Sequence, residues 1–264
     1  MPEGPEVKLF VDKLNSIYKN KTIKLVEVNT GRYIKNPIQN LNILKSLTIN
    51  SFNCKGKFIW IDLGEVIVFN TLGMTGSWNN IKTKHTRISF KFTEGNDLYF
   101  NDIRNFGTFK IKTKKDLEKK LKTIGPDMLS NPPKDFVSIL RKYNKKNICE
   151  VLMNQKIISG VGNYIKAEAL WYSKINPHSF IKDIPDLNIK VLGKAIEFVI
   201  NKSYKEQGAS IKDYYTFEGD SGNATSGFVV YARKHDPKGK KVIKETTPDK
   251  RTTHWVKERQ TVGM

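Results

Sequence analysis

Gln155-Lys156-Ile157-Ile158-Ser159-Gly160-Val161-Gly162-Asn163, running into Tyr164–Trp171, is the most ordered internal signal of this 264-residue chain. Gly160 and Gly162 permit tight turns and close backbone approach, and Asn163 stands where a helix starts. A helix N-terminus offers free backbone N–H groups and a positive dipole end, which suits a phosphate. Taken alone, the stretch equally fits an ordinary helical connection capped by an asparagine. Helical periodicity surrounds it, in Phe136–Tyr143, Ile148–Met153, Tyr164–Ser173 and Leu187–Ser203.

Upstream the texture is different. Val7, Phe10, Val11, Leu14 and Ile17 recur at helical spacing behind Pro5, and β-type runs follow. These are Thr22–Val28, Ile43–Phe52, Phe58–Leu63, Val66–Leu72, Arg87–Phe92, Leu98–Asn101 and Thr108–Ile111. The pattern predicts an α+β protein: an N-terminal β-sandwich with one helix over residues 1–112, a linker over 113–132 that starts with the charged, helix-prone run Lys114–Lys122, a helical domain over 133–225 and a β-hairpin tail over 226–264. In the tail, Phe228–Tyr231 and Lys240–Ile243 are expected to pair, with turns at Asp236-Pro237-Lys238-Gly239 and near Pro248-Asp249. Gly219, Gly222 and Gly227 mark 213–227 as a mobile loop.

Forty-six Lys and Arg face 26 acids, a formal net charge of +20. Self-repulsion on that scale calls for a polyanionic partner, and nucleic acid fits better than an anionic membrane. No apolar run is long enough to span a bilayer and no signal-peptide pattern begins the chain. Cys54 and Cys149 lack clustered spacing and read as reduced thiols of an intracellular protein.

The N-terminus, Met1-Pro2-Glu3-Gly4-Pro5-Glu6, adds chemistry. Removal of Met1 before a small residue frees the secondary amine of Pro2. An α-amino group titrates about two units below lysine, so more of it is neutral at pH 7. A neutral amine attacks electrophilic carbon to form an imine, and Glu3 and Glu6 are placed to move protons beside it. A flexible terminus is the bland alternative.

Together these stretches resemble the formamidopyrimidine-DNA glycosylase/endonuclease VIII family, from Pro2 to about Trp255. The resemblance implies a helix–two-turns–helix element over Val151–Pro177, in which Asn163 binds a DNA phosphate. It implies Pro2 as covalent nucleophile, Glu3 as proton shuttle, Glu6 as sugar-orienting group, and Lys57 (from Cys54-Lys55-Gly56-Lys57-Phe58) in the active-site groove, where its cation holds the phosphate or assists elimination. Met74 of Leu72–Gly76, with Arg104 and Phe106 of Asp102–Gly107, falls on positions that fill the void left by an extruded nucleotide. Met and Phe are far more often core residues, and that reading stands beside it.

The tail from Arg233 to Arg259 carries ten Lys/Arg against four acids, which suits sugar-phosphate contact. Lys250-Arg251-Thr252-Thr253 resembles the family's phosphate-gripping step, with Arg251 as the ligand. Most of the family folds this hairpin around zinc held by four cysteines, whereas this tail contains no cysteine. His235 and His254 alone do not make a structural site. The implied branch is the zinc-less-finger, endonuclease VIII-like one, with no cofactor. Thr71 stands where many relatives place a phosphate-binding histidine.

The expected activity is therefore that of a monomeric DNA glycosylase with abasic-site lyase activity. It would act on double-stranded DNA bearing oxidised bases, with pyrimidines and hydantoins favoured and 8-oxoguanine or formamidopyrimidine as the alternative. Its expected place is alongside DNA in the cell. A non-catalytic damaged-DNA-binding protein is the competing class. An RNA-binding protein explains the charge but not the N-terminal hexapeptide.

Overall fold

A computed structural model describes residues 2–208 and 227–263. They form two compact units, one built on residues up to Thr123 and the other on Ile124–Glu206 with the C-terminal segment. The stretch 213–226 of the expected loop lies outside the described residues.

The first unit opens with helix α1 (Gly4–Tyr18), with Pro5 in its first turn. Its apolar face, Val7, Phe10, Val11 and Leu14, is buried among the sheets. Strands β1 (Ile23–Val28), β5 (Gly76–Asn79), β6 (Thr86–Phe92) and β7 (Leu98–Asp102) form one antiparallel sheet in the order β1-β6-β7-β5. Strands β2 (Ser51–Lys55), β3 (Phe58–Asp62), β4 (Val66–Thr71) and β8 (Thr108–Thr113) form the other, in chain order. Trp78, Phe90 and Phe100 fill the core, their rings in contact at 5.0 and 5.6 Å. This is the α+β sandwich that the β-type runs imply.

Two expectations need correction. Ile43–Phe52 is not one strand: Leu41–Leu44 is a 3-10 turn, Ser46 takes φ 67°, and β2 starts only at Ser51. Backbone bonds of Ser46, Leu47 and Ile49 to residues 20–23 consume the ladder there. Within 113–132, the helix-prone run forms helix α3 (Lys114–Lys122), which begins at Thr113, whose hydroxyl accepts from the Asp116 N–H. A short helix, α2 (Arg32–Lys35), and β5 lie where no element was expected.

The second unit holds α4 (Phe136–Arg141), α5 (Ile148–Met153), α6 (Asn163–Tyr172) and α7 (Asp186–Lys205). Its hairpin, β9 (Ile243–Thr246) with β10 (Thr252–Trp255), is the second correction: Phe228–Tyr231 and Lys240–Ile243 do not pair. The buried Glu168 carboxylate accepts the N–H groups of Val229, Val230 and Tyr231 at 2.8–2.9 Å, removing the donors a strand would need. Both expected turns are present: Asp236 N–H donates to the Lys240 carbonyl, and Lys250 N–H to that of Thr247.

Candidate active site and nucleic-acid interface

Pro2 is buried, and Glu3 and Glu6 are 3% and 0% exposed at the first turn of α1. The Glu3 N–H donates to Glu6 Oε2 at 2.8 Å, one half of a capping box. The Glu6 carboxylate thus fixes the backbone between the expected nucleophile and the expected proton shuttle. Asn15, further along α1, exchanges two hydrogen bonds with the Phe52 backbone at 2.7 and 2.8 Å. That locks α1 to β2, whose two-residue turn, Gly56-Lys57, carries the half-buried Lys57. Gly56 has φ 58°, so the turn depends on glycine there.

Met74 is half-buried, whereas Arg104 is exposed and Phe106 is 52% exposed, with the Arg104 guanidinium 4.9 Å from the Phe106 ring centre. An arginine lying on an exposed phenyl ring is a surface feature, so the core reading fails for Phe106. The two turns are joined from beneath. Thr75 Oγ1 donates to Asp102 Oδ1 at 2.5 Å, the Gly107 N–H donates to Asp102 Oδ2 at 2.7 Å, and the Arg104 N–H donates to Thr75 Oγ1 at 2.9 Å. Buried Arg87 donates to the Asp102 and Ile103 carbonyls at 2.7 and 3.2 Å. A Cβ at Gly73 (φ 63°) would lie 2.7 Å from the Gly107 nitrogen, so the turns meet only because residue 73 is glycine. Met74, Arg104 and Phe106 are therefore carried on one rigid knuckle. Asp102 is its hub, a role that reading the quoted turn did not assign. Thr71 bonds to Thr108 at 2.8 Å within the sheet.

If this knuckle is the wedge that refills the stack, replacing its tips must act on duplex DNA alone. Met74→Ala, Arg104→Ala or Phe106→Ala is expected to slow single-turnover excision from duplex about tenfold or more, since extrusion costs a few kcal/mol of unstacking. Single-stranded substrate should be processed almost as by the wild type. Equal losses on both would return these residues to a folding role.

In the second unit the turns before α6 are fixed by Gln155. Its Nε2 donates to the Val161 carbonyl at 2.9 Å and its Oε1 accepts from the Gly160 N–H at 3.0 Å, while Gly160 has φ 93°. This sets Asn163 on the first turn of α6, where its Nδ2 donates to the Thr252 carbonyl at 2.8 Å and its buried Oδ1 has no partner. An amide nitrogen carries two hydrogens, so one donor remains for a ligand. Thr252 follows Arg251, which is exposed at the β9–β10 turn. Asn163 is thus bonded to the residue that follows Arg251.

His254 of β10 is buried against Tyr231, with no partner at Nδ1. Burial, then the nearby charges of Lys244 and Lys166, hold its pKa below the ordinary 6.5. A pKa depressed in the fold contributes stability above pH 6.5 that is lost as pH falls through the folded value. The thermal unfolding midpoint should fall between pH 7.5 and 5.5, and His254→Phe should flatten that dependence. An unchanged dependence in the variant would remove His254 as its source.

The formamidopyrimidine-DNA glycosylase N-terminal domain matches residues 1–109, and the formamidopyrimidine-DNA glycosylase H2TH domain matches residues 124–214. The chain belongs to the formamidopyrimidine-DNA glycosylase family. It is 32% identical over 246 residues to the Halalkalibacterium halodurans formamidopyrimidine-DNA glycosylase, covering 89% of each chain. Against the Wolbachia pipientis enzyme of that name it is 31% identical, with 90% of each covered. Among solved structures, the complex of Lactococcus lactis Fpg with abasic-site DNA superposes with TM-score 0.88 at 26% identity, covering 98% of this chain and 99% of that one. The Thermus thermophilus MutM (Fpg) protein gives TM-score 0.88 at 25% identity, with both chains fully covered. No described helix is long and apolar enough to cross a membrane.

Proposed function

We propose that the protein is a bifunctional DNA glycosylase and abasic-site lyase that removes oxidised bases from duplex DNA. The observation that carries this reading is the N-terminal turn, where Pro2 precedes two buried carboxylates and Glu6 holds the Glu3 backbone at 2.8 Å. After Met1 is removed, the Pro2 nitrogen attacks C1′ of the extruded nucleoside and gives up its proton, the C1′–base bond breaks, and the base leaves with its electron pair and takes up a proton. Glu3 delivers a proton to the opening sugar oxygen. The resulting iminium makes a C2′ proton acidic. Its loss expels the 3′ phosphate by β-elimination, and a second loss expels the 5′ phosphate by δ-elimination. Glu6 orients the sugar, Lys57, Asn163 and Arg251 hold phosphates, and Met74, Arg104 and Phe106 occupy the vacated stack.

For the lesion, the cysteine-free tail supports oxidised pyrimidines and hydantoins, as in the zinc-less branch it resembles. A second reading has its own support: the relatives above are named for formamidopyrimidine, an oxidised purine product. Single-turnover excision on otherwise identical duplexes carrying thymine glycol, a spirohydantoin, formamidopyrimidine-guanine or 8-oxoguanine separates them. Faster release of the first two supports the pyrimidine reading; faster release of the last two supports the purine one. No release from any of them, with tight binding retained, would leave a damage-binding protein.

A further inference from the structure

A four-cysteine zinc site has no counterpart in residues 228–260, which contain no cysteine. No described group of three or more His, Cys, Asp or Glu side chains is placed to hold a metal ion. The hairpin is instead held by an ion pair within the protein interior. Lys166 Nζ of α6 lies 2.5 Å from Asp249 Oδ2, with the two side chains 0% and 3% exposed. Desolvating both charges costs several kcal/mol per ion, and apolar residues of the same volume are often as stable in such a place. Stability alone therefore does not account for the pair; what it supplies is a fixed register.

The surrounding bonds show what is registered. Thr247 Oγ1 donates to Asp249 Oδ1 at 2.5 Å, the Thr247 N–H donates to the Arg251 carbonyl at 3.0 Å, and Lys250 takes φ 61° to close the turn. On the other side of Arg251, the Thr252 carbonyl accepts from Asn163 at 2.8 Å. Asn163 and Lys166 are three residues apart, hence neighbours on one face of α6. The backbone of Arg251 is thus gripped on both sides from a single helix face.

We propose that Lys166 and Asp249 are positioning residues for Arg251. The pair phases the β9–β10 turn against α6, so that the Arg251 guanidinium and the Asn163 amide present themselves to the DNA backbone at a fixed separation. This rests on the reading of Arg251 as a phosphate ligand.

The test measures affinity of the full chain for a duplex containing a tetrahydrofuran abasic-site analogue, across a series of KCl concentrations. Arg251→Ala should flatten the log–log salt slope by about one unit. Lys166→Met combined with Asp249→Asn removes one charge of each sign, leaves net charge unchanged and keeps an acceptor for Thr247. It should nevertheless flatten the slope by about one unit, and adding Arg251→Ala should change it no further. Asp249→Glu keeps the charge but displaces the turn by a methylene; it should show the same loss and serves if the double variant lacks a cooperative unfolding transition. A wild-type slope in the folded pair variants, with a full further drop on Arg251→Ala, overturns the positioning role and leaves the Arg251 reading intact. A wild-type slope in Arg251→Ala itself overturns both.

Discussion

Glu3→Gln is expected to slow release of a damaged base by ~10²–10⁴-fold, the range that a positioned general acid supplies. Its effect on strand cleavage at a preformed abasic site should be much smaller. The asymmetry follows from the chemistry: opening an intact nucleoside needs a proton at the sugar oxygen, whereas an abasic sugar already presents an aldehyde for imine formation. Glutamine keeps the size and the hydrogen-bonding reach of the side chain but has no proton to give. The N–H of residue 3 would still donate to Glu6, a backbone contact at 2.8 Å that the substitution does not touch. Single-turnover rates on a lesion duplex and on an abasic duplex decide it. Equal loss on both would mean that Glu3 acts on the fold of α1 rather than on the reaction.

The other large effect is at the preceding residue. A chain that keeps Met1, or carries an uncleavable residue ahead of Pro2, has an amide in place of the amine. Its nitrogen lone pair is delocalised into the carbonyl, so no imine forms. Lyase activity should fall to the uncatalysed background while affinity for duplex DNA persists, because Lys57, Asn163 and Arg251 are unchanged. Intact mass of the preparation, read beside abasic-strand cleavage, makes the comparison. Undiminished cleavage by a chain shown to keep Met1 would remove Pro2 from the chemistry.

What was legible in the sequence, and what was not, divides along physical lines. The apolar face of α1, the apolar runs of β3 and β4 and the alternation in β6 each mark residues for burial, and those elements lie where their pattern puts them. The helix start at Asn163 was legible because glycines precede a run of helical periodicity, although the N-cap is Gly162 rather than the asparagine. The β9–β10 pairing was not, because the competing segment 228–231 reads equally well as a strand. Only the three-dimensional position of Glu168 takes its backbone donors away. Lys166 was missed for a related reason: lysine in a helix is ordinarily solvated, and its burial depends on Asp249, 83 residues downstream. Asp102 stood within a quoted turn yet gained its role as hub only from Thr75 and Gly107. Local pattern reveals which face is buried. Side chains that satisfy distant backbone or distant charge leave no local pattern.

The central claim is covalent catalysis through the N-terminal amine, and reductive trapping tests it most directly. The Met1-free protein, incubated with an abasic-site duplex and sodium borohydride, should yield a stable protein–DNA adduct. Proteolysis and mass spectrometry should then place the deoxyribose remnant on the peptide that begins at Pro2. An adduct on Lys57, or none under conditions where the strand is cut, would contradict the account.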